Sequence, residues 1–134
     1  MKPVRFMLDT DTCSFLIRGA NPKLRHAVQH HAESLCVSVV TVAELRFGAR
    51  KKGSQRITEA VSHFLELVDI VPWTEEAATR YAELRNHLET IGRPIGNMDM
   101  LIAASALAEG CHLVTHNLAH FGRVPALPVE DWTK

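Results

Sequence analysis

The chain has 134 residues, of which 46% are hydrophobic and 22% are charged, and its formal net charge is zero. This length and composition predict one soluble globular domain over residues 1–134, and the neutral balance excludes an overall basic field that would attract nucleic acid. No apolar run is long enough for a membrane span or a signal peptide, and the three cysteines are too widely spaced for a disulfide framework, so we expect a cytoplasmic protein.

Short apolar runs alternate with amphipathic segments along the chain. In chain order the patterns predict a strand at 4–8, a helix at 21–31, a strand at 34–38, a short helix at 41–50, a helix around 57–64, a strand at 67–71, a helix at 74–91, a helix at 97–110, a strand at 111–115 and a last strand at 126–131. Asn21 and Asn97 are expected to cap the helices that follow them. Strands that alternate with helices predict an α/β fold with a mostly parallel sheet.

Polar side chains follow the ends of the predicted strands. Asp9 and Asp11 come directly after the first strand, and Glu44 lies in the helix after the second. Asp99 falls in the first turn of the helix at 97–110, and Asn117 follows the strand HLVT. In parallel sheets ligands bind beyond the carboxyl ends of the strands, and carboxylates that converge there can hold Mg²⁺. The pattern predicts a metal site that could activate water for attack on a phosphate.

Each of these residues also has a purely structural interpretation. Thr41 and Glu44 match a capping box, in which Glu44 would only reach back to a backbone amide. A carboxylate such as Asp99 is favourable near a helix N-terminus because of the helix dipole. Asn117 is a common turn residue. The metal hypothesis therefore depends on all of these positions meeting at one end of the sheet.

A basic run follows Glu44 in the segment RFGARKKGSQR. Such runs are usually solvated loops, but a neutral protein that holds RNA beside carboxylates needs cations to offset phosphate repulsion. The candidates for this substrate rim are Arg46, Arg50, Lys51, Lys52 and, in the separate segment GRPIG, Arg93.

Four segments together resemble the PIN-domain ribonucleases, and within them the VapC toxins of toxin–antitoxin pairs: MLDTDTCSFLIR, SVVTVAELRFGA, GRPIGNMDMLIAASALAEG and LVTHNLAHFGRVPALPVEDW. The resemblance implies a single PIN domain, a three-layer α/β/α fold around a mostly parallel sheet of four to five strands. It implies Mg²⁺- or Mn²⁺-dependent cleavage of RNA, often tRNA in its anticodon loop. It also implies a homodimer and a small cognate antitoxin whose tail covers the active site.

Position by position, the resemblance makes Asp9, Glu44 and Asp99 catalytic acids, with Asp9 and Asp99 the principal metal ligands. Glu44 would help to orient the attacking water, and Asn117 matches the family's polar residue after the fourth strand.

The chain departs from the family pattern at two positions. Asp11 stands where the family usually has Asn, and His120 stands where it usually has a fourth acid. Our hypothesis is that Asp11 partly restores the negative charge that His120 removes, and so serves as a further metal ligand. The opposite outcome, a weakened metal site, remains open.

Two other functions fit parts of the sequence. Asp9-Thr10-Asp11-Thr12 resembles the nucleophile motif of haloacid-dehalogenase-type phosphatases, with Asp9 as nucleophile and Asp11 as general acid. That class also needs an acidic pair after a later strand, which HLVTHN does not offer. A non-catalytic or weakly active binding module is the second alternative, and His120 favours it.

Overall fold

The computed structural model describes residues 3–19 and 21–134. Its centre is a five-stranded sheet in the order β3-β2-β1-β4-β5, and every neighbouring pair is parallel. The strands are β1 (Phe6–Leu8), β2 (Leu35–Ser38), β3 (Asp69–Val71), β4 (His112–Val114) and β5 (Val129–Glu130). The predicted parallel α/β sheet is confirmed. Each predicted strand is present but shorter than its apolar run.

Seven helices in the described ranges surround the sheet. They are α1 (Thr10–Arg18), α2 (Pro22–His30), α3 (Val39–Lys52), α4 (Gln55–Glu66), α5 (Glu75–Thr90), α6 (Asn97–Glu109) and α7 (Leu118–Phe121). A single 3-10 turn, Ala32–Ser34, precedes β2. None of these helices is long and apolar enough to cross a bilayer.

Side chains that alternate between the two faces of the strands produce two hydrophobic cores. Met7 belongs to a cluster built largely from α5, α6 and the chain after β4, whereas the next residue, Leu8, belongs to a cluster with α1, α2, α3 and α4. In β2, Cys36 belongs to the first of these clusters and Val37 to the second. Because successive side chains of a strand point to opposite faces, the sheet is covered on both sides. The three-layer α/β/α arrangement is confirmed, and Cys13, Cys36 and Cys111 are buried and free.

Two helix starts differ from the sequence predictions. α3 begins two residues earlier than predicted and is capped by Ser38, whose Oγ accepts a hydrogen bond from the Val40 amide at 3.1 Å. The predicted capping box of Thr41 and Glu44 is therefore wrong, and Glu44 is free for another role. The cap at Asn97 is also wrong, because Gly96 occupies the cap position and Asn97 is already helical. Asn21 does cap α2, accepting from the Leu24 amide at 2.9 Å.

The structure contains two helices that the sequence patterns do not predict. α1 follows β1 without a loop, since Asp9 is its cap residue, and α7 is a single turn after β4. In contrast, Leu67 does not extend β3. It ends α4 and is 67% exposed.

Candidate active site

The candidate site lies at the carboxyl ends of the two central strands. From β1 the chain continues to β2 and β3 on one side, then returns to β4 on the other side of β1. The strand order therefore reverses between β1 and β4, where open α/β sheets form a crevice. Asp9 follows β1 at this crevice, and Asn117 lies three residues beyond the end of β4. The sequence prediction of a shared edge is confirmed for these positions.

Asp9 is the most buried acid of the site, only 4% exposed. Its Oδ1 accepts a hydrogen bond from the Thr12 amide at 2.9 Å, which caps α1 and fixes the carboxylate. Burial raises the pKa of Asp9, and hydrogen bonds from Thr115 and Thr12 partly offset this effect. A buried carboxylate without a cation beside it is costly, so the position favours a bound positive charge.

Glu44 lies on α3 and faces α1. The Thr10 hydroxyl donates to Glu44 Oε1 and also lies 3.3 Å from the Thr41 hydroxyl, so α1 and α3 are joined at the site. Burial raises the pKa of Glu44, and the charges of Asp99, Asp11 and Asp9 raise it further. The structure thus places Glu44 in the same electrostatic environment as the other acids.

Asp99 is the third residue of α6 and is half-buried. Burial raises its pKa, followed by the charge of Asp9, while His120 acts in the opposite direction. His120 Nδ1 lies 3.7 Å from Asp99 Oδ2 and accepts a hydrogen bond from the Asn117 amide group at 2.9 Å. His120 therefore occupies the site, at the place the family resemblance implied for an acid, and Asn117 positions its ring.

Asp9, Asp11, Glu44 and Asp99 interact electrostatically, and the region around their carboxylates is called the acidic hollow. Asp11, on the first turn of α1, is exposed and adds to the repulsion felt by Asp9, Glu44 and Asp99. No salt bridge from Lys or Arg to these carboxylates occurs within residues 3–19 and 21–134. Repulsion among like charges held together in this way is relieved by protonation or by a bound cation.

The donor set fits a hydrated, oxygen-preferring cation. In the described part of the chain, no three His, Cys, Asp or Glu side chains are arranged as a ready-made metal cage. Mg²⁺ does not require one, because it usually keeps several waters and is bound through one or two carboxylates. The residues that could hold such an ion are Asp9 and Asp99, with Glu44 and Asp11 at the border of the hollow.

A groove of about 580 Å³ leads away from Glu44 between α1, α3 and α4. Apolar residues such as Leu45 and Val61 form part of its lining, and Lys52 and Arg56 also border it. Arg46, Arg50 and Lys51 are exposed on α3, and Arg93 is exposed in the loop before α6. The structure thus brings Lys52 to the groove beside the site, whereas a substrate role for the other cations stays a prediction.

Sequence reasoning missed the threonines that support the acids. Thr10 bonds Glu44, and Thr12 and Thr115 bond Asp9. Thr10 and Thr12 belong to the Asp-Thr-Asp-Thr stretch. In that stretch a possible helix cap, Asp9, is followed by an apolar run, and this pattern could have predicted α1 and its threonines. Thr115 carried no local signal, because its contact with Asp9 depends on how β1 and β4 pair.

Comparison with known proteins identifies the family. The PIN domain model matches residues 6–127. This chain belongs to the PIN domain family. This chain is also 33% identical over 130 residues to the tRNA(fMet)-specific endonuclease VapC of Salmonella typhimurium. The match covers 96% of this chain and 98% of the Salmonella protein. Ribonuclease VapC2 of Rickettsia felis is 34% identical over 132 residues, with 96% and 98% covered.

Solved structures agree with this assignment. The crystal structure of DNA-bound VapBC from Salmonella typhimurium matches this PIN domain with a TM-score of 0.91 and 33% identity, covering 97% of this chain and 99% of that one. VapBC2 from Rickettsia felis bound to a promoter DNA fragment matches with a TM-score of 0.91 and 32% identity, covering 96% and 99%. The family resemblance seen in the sequence is confirmed, and the phosphatase alternative is wrong.

Proposed function

We propose that this PIN domain is an endoribonuclease toxin that uses Mg²⁺ or Mn²⁺ and cleaves tRNA, and that a small antitoxin neutralises it. The observation that carries the proposal is the acidic hollow, where the charge of Asp9 raises the pKa of Glu44 and of Asp99, and the charge of Asp99 raises the pKa of Glu44. The endonuclease and ribonuclease names of relatives about one-third identical over nearly the whole chain support RNA as substrate. One of those names specifies tRNA(fMet), which makes a tRNA the favoured class.

A divalent cation in the hollow would lower the pKa of an attacking water and neutralise charge that develops on the phosphate. Asp9 and Asp99 hold the cation in this proposal, and Asp9 is fixed for that task by its hydrogen bond with the Thr12 amide. Thr10 occupies Oε1 of Glu44, which leaves Oε2 to accept a hydrogen bond from water. The raised pKa of Glu44 brings this carboxylate closer to the range of an effective general base. Asn117 orients His120 beside Asp99.

The antitoxin part of the proposal is supported by the structural relatives, which are described as VapBC complexes. We place the antitoxin's tail over the acidic hollow, where it would block access of RNA to Glu44 and Asp99. We also propose a homodimer, which the family resemblance implies.

Direct cleavage of RNA tests the proposed function. Purified protein is incubated with total tRNA, and new RNA ends are mapped by sequencing. We expect discrete cuts in a small set of tRNAs, loss of cutting with EDTA, and recovery when excess Mg²⁺ or Mn²⁺ is added. If a mixed RNA pool stays intact across a range of both metals, the chain is a binding module and the enzyme proposal fails.

The two departures from the family pattern give a second prediction. If Asp11 offsets the missing acid at position 120, Asp11→Asn should weaken Mn²⁺ binding by up to about tenfold, since Asp11 is exposed and acts at the border of the hollow. His120→Asp should strengthen binding by adding a carboxylate next to Asp99. Calorimetric titration of both variants with Mn²⁺ measures this, and unchanged affinity in Asp11→Asn would defeat the compensation hypothesis.

A further inference from the structure

One aromatic side chain in the described ranges is exposed without a partner that explains it. Phe47 on α3 is 67% exposed, whereas the other Phe, Trp and Tyr residues of the chain are buried or half-buried. Single exposed apolar residues are common on protein surfaces, so the exposure of Phe47 is informative only together with its position and its neighbours.

Phe47 lies beside the candidate active site. It follows Glu44 by three residues on the same helix, which places the two side chains about 60° apart around the helix axis and within one turn. Gly48, the next residue, contributes no side chain, and a Cβ built there meets nothing within 4 Å. Gly48 lies about 40° from Glu44 on the side opposite Phe47, so the helix surface next to Glu44 is open to a substrate.

Cations surround the ring. Arg46, Arg50 and Lys51 are exposed on the same helix, within four residues of Phe47. No salt bridge within residues 3–19 and 21–134 engages any of the three. An aromatic face bordered by free cations is the combination that binds single-stranded nucleic acid, because the ring stacks on a base and the cations contact the phosphates.

We propose that Phe47 stacks on an unpaired base of the RNA substrate next to the scissile phosphate, with Arg46, Arg50 and Lys51 contacting the backbone. The inference rests on the proposed function and deepens it, because it predicts cleavage next to a base that can leave its stack, as in a loop. A second copy of this chain is a poorer occupant. In a two-fold symmetric contact centred on Phe47, these cations would face their own copies and repel one another.

The test measures RNA binding separately from cleavage. Asp99→Asn protein is titrated with fluorescent single-stranded RNA spanning a mapped cut site, or with a uridine-rich RNA if no cut is found. Adding Phe47→Ala should weaken binding about tenfold, as expected for loss of one base stack. Phe47→Trp should retain affinity, and Phe47→Leu should not. Leu67→Ala is the matched control, because Leu67 is also 67% exposed but lies at the end of α4.

An abasic scan of the same RNA identifies the stacked base. Removing the base next to the cut should weaken binding to Phe47 protein but leave binding to the Phe47→Ala variant unchanged. Equal affinity of the Phe47 and Phe47→Ala proteins for the intact RNA, or a shift from dimer to monomer in Phe47→Ala on sedimentation, overturns the stacking proposal. A wild-type protein that does not cleave RNA refutes the proposed function instead, and the binding comparison still decides the role of Phe47.

Discussion

Asp99→Asn is expected to lower the rate of RNA cleavage by at least about a hundredfold, since even outer residues of metal sites contribute 10–100-fold. The change keeps the size of the side chain but removes a charge that raises the pKa of Glu44. The amide is a poorer cation ligand than a carboxylate, so the main loss should be in the chemical step. Single-turnover cleavage of a mapped tRNA substrate, with protein in excess, measures that step.

The matched control for Asp99→Asn is Glu76→Gln, which removes an exposed acid from the first turn of α5. It should leave the cleavage rate within about twofold, as a surface change remote from the site does. A circular dichroism spectrum and melting curve for each variant establish that the fold persists. Cleavage by Asp99→Asn at the wild-type rate would remove Asp99 from the catalytic set.

The acidic hollow should make the metal-free protein less stable as the pH rises. The folded-state pKa values of Asp9, Glu44 and Asp99 are all raised, first by burial and in addition by the charges of neighbouring carboxylates. The folded state therefore binds these protons more tightly than the unfolded state does. The free energy of unfolding is therefore lowered by ionisation of these acids. This loss is absent below the unfolded-state pKa values of about 4 and grows until the pH exceeds the folded-state pKa values.

This prediction is measured as a difference in melting temperature. In EDTA, Asp99→Asn should have the same melting temperature as the wild type near pH 4. As the pH approaches 7, its melting temperature should become the higher of the two. Comparing the two proteins at each pH cancels the groups that do not contact Asp99, including the acids with lowered pKa, Glu130 and Asp131. His120, which lies 3.7 Å from Asp99, contributes to the difference. Added Mg²⁺ should stabilise the wild type at pH 7 by more than it stabilises Asp99→Asn. A wild type that remains the more stable protein in EDTA at pH 7 would contradict the account of the site.

The sequence predicts the sheet and the acids well because both depend on short patterns. Strands buried on both faces are continuous apolar runs, and a polar residue directly after such a run marks the edge of the sheet. Asp9 is found in this way. The order of the strands is not encoded locally, so the pairing of β1 with β4, which brings Thr115 to Asp9, becomes visible only in the folded chain.

Helix ends are predicted less well because several residues can serve as caps. Ser38 and Thr41 are both candidate caps for α3, and the fold selects Ser38, which is the last residue of β2. At α1 the cap residue is Asp9, so the helix start and the site residue are the same side chain. The contact of His120 with Asp99 joins α7 to α6 and has no local signal. Sequence patterns therefore identify the acids of the candidate site, whereas the groups that position them require the structure.

Calorimetric titration with Mn²⁺ tests the central claim that Asp9, Glu44 and Asp99 bind one cation jointly. The wild type should bind Mn²⁺, and Asp9→Asn, Glu44→Gln and Asp99→Asn should each weaken binding. The Asp9→Asn/Asp99→Asn double variant should lose less than the sum of the single losses in binding free energy, because both ligands serve the same ion. Independent, additive losses, or wild-type affinity in every variant, would contradict a shared site.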